Sequence, residues 1–130
     1  MQVIQPKKGE SMEFIFDNER PIYIQLVEQL RLLIIAGEFQ QGEKIPSVRE
    51  LALIAKVNPN TMQKALVELE TEGLIYTERT NGKYVTNDIK RLKTVRENIA
   101  KEKVKAFFSD MERIGMNQED TIKYLQEKIK

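Results

Sequence analysis

The chain has no cysteine and no histidine among its 130 residues. Without cysteine there are no disulfides and no thiolate chemistry, and without histidine the commonest general base and the commonest zinc ligand are both missing. These absences weigh against an enzyme, favour a reducing, cytoplasmic setting, and leave no cofactor and no metal to be expected. Long apolar runs are missing as well. The most apolar segment, Ile22 to Ala36, is interrupted by Gln25, Glu28, Gln29 and Arg31, so it reads as a helix of a soluble protein and no membrane partner is expected. The opening MQVIQPKKGES lacks the apolar core of a signal peptide. Neither sign of charge is in excess, since 21 basic residues face 20 acidic ones for a net charge of +1. Bulk charge therefore announces no polyanionic partner, and any such face must come from local clustering. The length allows one compact domain plus an appendage, with a core large enough to fold without staples.

The rest of the chain is organised around the stretch from Pro46 to Thr86. Ser47 and Glu50 form an S-x-x-E capping box, which predicts a helix from Val48 through Leu51, Ala52 and Ala55. Asn58 followed by Pro59 predicts a second helix, because asparagine caps well and proline at the first helical position gives up only a donor that has no partner there. Only Lys56 and Val57 separate the two. Met62, Ala65, Leu66 and Leu69 recur at helical spacing and paint one buried stripe, and Gly73 suits a left-handed cap at the end. Leu74 to Arg79 and Lys83 to Thr86 read as strands joined by Asn81-Gly82 in a type I′ turn, which needs positive φ at both central residues. Two short helices, a tight turn and a two-stranded wing make a DNA-reading device.

Around this stretch, residues 1–18 read as an N-terminal arm, mobile over Met1 to Ser11, with Met12 to Phe16 either a short strand or a segment laying Phe14 and Phe16 on the core. Pro21 begins a scaffold helix carrying Tyr23, Leu26, Val27, Leu30, Leu33 and Ile34, and Ile45 plugs the core ahead of the capping box. Asn87 and Asp88 cap a long helix from Ile89 to about Ile114, and Asn117 with Asp120 caps a last one after Gly115. Leu92, Val95, Ile99, Phe107, Phe108 and Met111 on the long helix, with Ile122 and Leu125 on the last, form a stripe that two helices cannot bury alone. A second copy of the chain is the expected cover, closed two-fold pairing being the commonest solution. The start of the long helix is strongly basic, with seven cations and two carboxylates from Lys90 to Lys105, which reads as a solvated face or as one running near phosphates.

Charge along the second helix of the central stretch favours one docking mode. Asn60, Thr61, Gln63 and Lys64 occupy its first half, and Glu68, Glu70 and Glu72 its second. Phosphates repel the acidic end, so the first half is expected in the major groove, where Asn or Gln pairs with adenine and Lys with guanine. Lys44, Arg49, Lys56, Arg79 and Lys83 are the candidate phosphate contacts, with Arg79 alternatively stacking on Tyr84. Asn58 is explained by capping alone, and Gly82 by the turn alone.

From Pro21 to Val85 the chain resembles the winged-helix domain of the GntR family of bacterial transcription regulators. PIYIQL, IPSVREL, VNPNT followed by AL, and EGLIY followed by NGKYV carry the likeness. The short helical C-terminus is similar to the YtrA-type branch, whose tail serves dimerisation. The resemblance implies DNA contacts at Arg49, Asn58, Asn60, Thr61, Gln63, Lys64, Gly82 and Lys83, with Pro59 standing where many relatives carry an arginine. It further implies a dimeric repressor of a transporter operon, often of the ABC class, acting on a pseudo-palindromic double-stranded operator. The expected fold is mainly α with a small β wing: a winged helix-turn-helix domain over residues 19–87 and a two-helix dimerisation tail over 88–130. The competing reading is a winged helix used as a protein-interaction module.

Overall fold

The computed structural model describes residues 12–129; the stretch expected to be mobile, Met1 to Ser11, lies outside them. Five helices and two strands follow in the order α1 (Ile22–Ile35), α2 (Val48–Ala55), α3 (Pro59–Thr71), β1 (Ile75–Glu78), β2 (Gly82–Val85), α4 (Ile89–Arg113) and α5 (Gln118–Lys128). The chain forms two compact units, one ending at Leu92 and the other beginning at Lys93, so the division falls inside α4, a few residues beyond the domain boundary expected at 87.

The first unit is built on apolar stripes of its three short helices. Leu26 and Leu30 of α1, Leu51 of α2, Met62, Leu66 and Leu69 of α3, and Leu74, Ile75 and Val85 of the wing are each at most 2% exposed. Each such side chain stabilises the fold by roughly 1.5–3 kcal/mol relative to exposure. Pro21 is the cap residue of α1, with ψ of 138°, and not its first helical residue. The stripe on α1 is also shifted from the expected one: Tyr23 and Leu33 are half-buried, while Gln25 and Ile35 are buried. Gln25 is satisfied because its amide accepts from Asp17 N and donates to the carbonyls of Asp17 and Arg20. One turn on, the Gln29 amide bonds both N and O of Ile15. These two amides replace the neighbouring strand that residues 14–17 would otherwise need. The segment therefore lies along α1 without becoming a strand, its Phe14 and Phe16 rings stacked at 6.4 Å and half-buried.

Local signals fix the helix-turn-helix. Ser47 Oγ accepts from Glu50 N at 3.1 Å and Glu50 Oε1 accepts from Ser47 N at 3.4 Å, completing the capping box. Lys56 closes α2 in the left-handed region (φ 57°, ψ 45°), and Asn58 caps α3 with Pro59 at its first position. At the far end Gly73 N bonds Glu70 O and Leu74 N bonds Leu69 O, the paired bonds of a Schellman cap, which needs positive φ at Gly73 (78°).

β1 and β2 are antiparallel, pairing Ile75 with Val85, Tyr76 with Tyr84, Thr77 with Lys83 and Glu78 with Gly82. Residues 42–45 add to the outer edge of β2 through Gly42 N to Val85 O, Val85 N to Glu43 O and Ile45 N to Lys83 O. The wing tip differs from expectation. Asn81 N bonds Glu78 O, and among the described residues Lys56 is the only non-glycine with positive φ. The connection is thus a longer loop turning through Arg79 and Thr80, with Gly82 alone at φ 109°, and not a two-residue type I′ turn.

In the second unit α4 ends as Gly115 N bonds Glu112 O and Met116 N bonds Met111 O. Asn117 Oδ1 then accepts from Asp120 N at 2.8 Å to open α5, and the buried Thr121 donates back to Asn117 O at 2.9 Å. The Phe107 and Phe108 rings lie 5.8 Å apart. At about 100° per residue, Val104, Phe107, Phe108, Met111 and Ile114 sit roughly a third of a turn around α4 from Leu92, Val95 and Ile99. The long helix therefore carries two offset apolar stripes, not one.

Candidate nucleic-acid interface

Burial sorts the two faces of α3. Met62, Ala65, Leu66 and Leu69 point into the core, each fully buried, while Asn60, Gln63 and Lys64 are exposed and Thr61 is half-buried. Asn58 Oδ1 accepts from Asn60 N at 2.7 Å, so its carbonyl oxygen is committed to the cap. Arg49, the second residue of α2, is exposed. Its neighbour Glu50 is held in the capping box, and among the described residues no carboxylate pairs with Arg49. The structure thus leaves Arg49, Asn60, Gln63 and Lys64 as outward polar groups around the start of α3.

The acidic half of α3 is engaged internally. Arg31 of α1 grips the Glu72 carboxylate with two bonds, from Nε at 2.8 Å and a terminal nitrogen at 2.7 Å. The bond to Glu72 raises the Arg31 pKa above its ordinary value against the opposing effect of burial. The main-chain oxygen of Glu72 accepts from Arg91 Nε at 2.7 Å. Glu70 accepts from Thr77 Oγ1 at 2.7 Å and lies 3.5 Å from Lys83 Nζ, which also donates to Thr77 Oγ1 at 2.9 Å. Lys83, an expected DNA contact, is therefore turned back onto α3, its side chain 16% exposed, and does not join the outward group. Glu70 and Glu72 carry less free negative charge than their sequence run suggests.

Gly82 is exposed at the wing tip. A Cβ built there would come within 3.2 Å of Lys44 Cε, so the Lys44 chain lies over the glycine and brings a cation to the wing. Lys44, Ser47, Arg79 and Gly82 rim a groove of about 830 Å³ floored by Phe39 and Ile45, between the start of α2 and the wing. Tyr84 stacks on Tyr76 at 5.7 Å. The proximity of Lys44 to Gly82, and the Arg31–Glu72 and Arg91–Glu72 contacts, had no signal in the sequence, for they join residues far apart in the chain. Of the expected dimerisation residues, Leu92 is buried in the first unit at 9% exposure, because the first turn of α4 still runs against that core. In the second unit Val95, Ile99, Phe108, Met111 and Leu125 are half-buried, and Phe107 and Ile122 are each 40% exposed. Among the described residues no group of acidic side chains is arranged to hold a metal, and no helix is long and apolar enough to cross a membrane.

A capped helix-turn-helix with an open polar start to its second helix, followed by a short antiparallel wing, defines a winged-helix DNA-binding domain. Residues 22–85 match the family described as bacterial regulatory proteins, gntR family. The HTH-type transcriptional repressor YtrA of Bacillus subtilis is 39% identical over 108 residues, covering 82% of this chain and 83% of that protein. A GntR family transcriptional regulator from Listeria monocytogenes superposes with a TM-score of 0.78 at 41% identity, over 86% of this chain and 98% of that one. The DNA-binding domain of AraR in complex with operator ORX1 superposes with a TM-score of 0.52 at 28% identity, over 55% of this chain and 93% of that one. This chain belongs to the GntR family of bacterial transcription regulators.

Proposed function

We propose that the protein is a dimeric, cytoplasmic repressor that sets two winged helices on a pseudo-palindromic operator. The observation that carries this reading is the asymmetry of α3, whose first half presents Asn60, Gln63 and Lys64 outward beside Arg49 while its second half is tied to α1, the wing and α4. In this reading Asn60, Gln63 and Lys64 contact base edges in the major groove, Thr61 a phosphate or a thymine methyl, and Arg49 the operator. Asn58 holds the helix start, Gly82 lets the wing approach the minor groove, and Lys44, Lys56 and Arg79 position phosphates. Lys83 contributes only on release from Glu70. Residues 19–87 form the DNA-binding domain and 88–130 the dimerisation tail. Val95, Ile99, Phe107, Phe108, Met111, Ile122 and Leu125 form the dimer seam, with Leu92 at its root inside the winged helix. The Bacillus subtilis relative, a transcriptional repressor, supports repression, and a transporter operon, of the ABC class, is the target in this reading. The role is binding without catalysis.

Selection of bound sequences from random DNA should return an inverted repeat with half-sites about one helical turn apart. On that operator Arg49→Ala should weaken specific binding by ~1–3 kcal/mol with an unchanged melting temperature. Unaltered affinity would remove Arg49 from the interface. Sedimentation should give a dimer for the full chain.

A further inference from the structure

We infer that Glu70 withholds Lys83 from the DNA backbone, so that the wing brings one phosphate contact fewer to DNA than its sequence offers. The inference rests on the DNA-binding reading above. Lys83 and Thr77 stand opposite each other in the register of β1 and β2, which places their side chains on one face of the wing. Ile75 and Val85, a further pair of that register, share this face by the two-residue period of a strand and are buried. Lys83 therefore leaves the wing on its inner face, and the pleat keeps it from turning outward with the stacked Tyr76 and Tyr84.

On that face its ammonium has two acceptors. It donates to Thr77 Oγ1 at 2.9 Å and stands 3.5 Å from Glu70 Oε1. Thr77 Oγ1 directs its one hydrogen at the same carboxylate oxygen, at 2.7 Å, and keeps its lone pairs for Lys83. Groups from α3, β1 and β2 thus close into one network. Within it the Lys83 side chain is 16% exposed and that of Glu70 41%, so the cation is the member held inside. The position of Lys83 gives this capture its consequence. Major and minor grooves are divided by a sugar–phosphate strand, so a protein with the start of α3 in one and Gly82 at the other straddles that strand. Lys83 follows Gly82 directly and faces α3 across the wing, where a free ammonium on a four-carbon stem would meet phosphate. To make that contact it must leave both acceptors and exchange one anion for another, which cancels most of the gain.

The test uses the full chain, a duplex carrying one half-site of the sequence that wild type selects from random DNA, and a scrambled duplex, titrated from about 50 to about 200 mM salt. Glu70→Gln keeps an oxygen for Thr77 and gives up the charge. It should steepen the slope of log affinity against log salt by about 0.9, the value of one added phosphate contact, making its gain over wild type about 3.5-fold larger at the low end of the range than at the high end. Lys83→Met, which keeps the stem without the cation, should leave the wild-type slope unchanged. In the double variant the steepening should vanish. Three results overturn the inference and leave the DNA-binding reading standing. One is a Glu70→Gln slope equal to that of wild type. Another is a steepening that survives in the double variant, which assigns it to lost repulsion by Glu70 itself. The third is a Lys83→Met slope shallower by about 0.9, which shows Lys83 already on phosphate in the wild-type complex. Wild type that binds the two duplexes equally overturns the reading and the inference with it.

Discussion

Replacing Arg31 and Glu72 by alanine, singly and together, should give a coupling energy of about 2 kcal/mol in favour of the pair. The figure comes from where the pair sits. Fully exposed ion pairs contribute about 0–1 kcal/mol, and breaking a fully buried pair costs about 3–5 kcal/mol because a charge is left stranded. Here the side chains are 25% and 23% exposed and joined by two parallel bonds of 2.8 and 2.7 Å, the fork geometry that arginine makes best with a carboxylate. An intermediate value follows. Neither alanine touches the Glu72 main-chain oxygen, so the Arg91 bond is kept and the cycle isolates the side-chain pair. Urea unfolding of the four chains gives the coupling directly, and each kcal/mol lost should lower the melting temperature by about 4–8 °C for a unit of this size.

Two controls sharpen the expectation. Because the pair is shielded, its coupling should survive about 0.5 M salt with more than half its value, whereas an exposed pair would be screened. Because the Arg31 pKa is raised in the folded chain, its stabilising share is fully present below the unfolded value and lost only as pH rises through the folded one. No step in stability from Arg31 is therefore expected between about pH 7 and 10. A coupling below about 0.5 kcal/mol, or one abolished by salt, would refute the view that this contact clamps α3 to α1.

Three other outcomes are expected. Asn58→Ala should cost about 1 kcal/mol of stability and Asn58→Ser little; if Asn58→Ser also keeps operator affinity in a gel-shift titration, Asn58 is a cap and not a base reader. Gly73→Ala should cost about 1–2 kcal/mol through its positive φ, without a clash, since the nearest atom to a new Cβ is at 3.5 Å; an unchanged urea midpoint would show that the α3 cap adapts. A chain ending after Asp88 should lose about 1.5–3 kcal/mol with the buried Leu92, whereas one ending after Arg96 should be folded and monomeric by sedimentation. Dimerisation of the latter would remove the tail from the interface.

What was legible in the sequence divides by the distance between the residues that cause it. The starts of α2 and α3 were readable, because Ser47 with Glu50, and Asn58 with Pro59, act within one helical turn of themselves, whereas the left-handed Lys56 that closes α2 carries no such signal. Gly73 marked the end of α3 for the same reason. The wing tip was misjudged although Asn81-Gly82 is a strong local signal for a two-residue turn. There the register of Glu78 with Gly82, and the edge bonds from residues 42–45, fix the strands independently of the tip. Gln25 and Gln29 looked like interruptions of an apolar face, yet they bind the backbone of residues 15 and 17, which no periodicity announces. Lys83 had the right charge and the right place on the wing, but a carboxylate 13 residues earlier takes it.

That last case changes how the charge of the chain bears on its site. A net charge of +1 announces no polyanionic partner by itself, and the run Glu68, Glu70, Glu72 reads as one that repels phosphate. Yet Glu72 is held by Arg31, Glu70 by Lys83 and Glu28 by Arg20, so these carboxylates are paired with cations other than Arg49, Lys56 and Lys64. Arg49, Lys56 and Lys64 are exposed and, among the described residues, without a carboxylate partner. They cluster in sequence around the turn and the start of α3, where the helix dipole adds positive potential. The cations around the turn and the start of α3 are thus left free of the pairing that occupies Arg31, Lys83 and Arg20 elsewhere. The acidic half of α3 anchors that end of the helix to α1 and the wing.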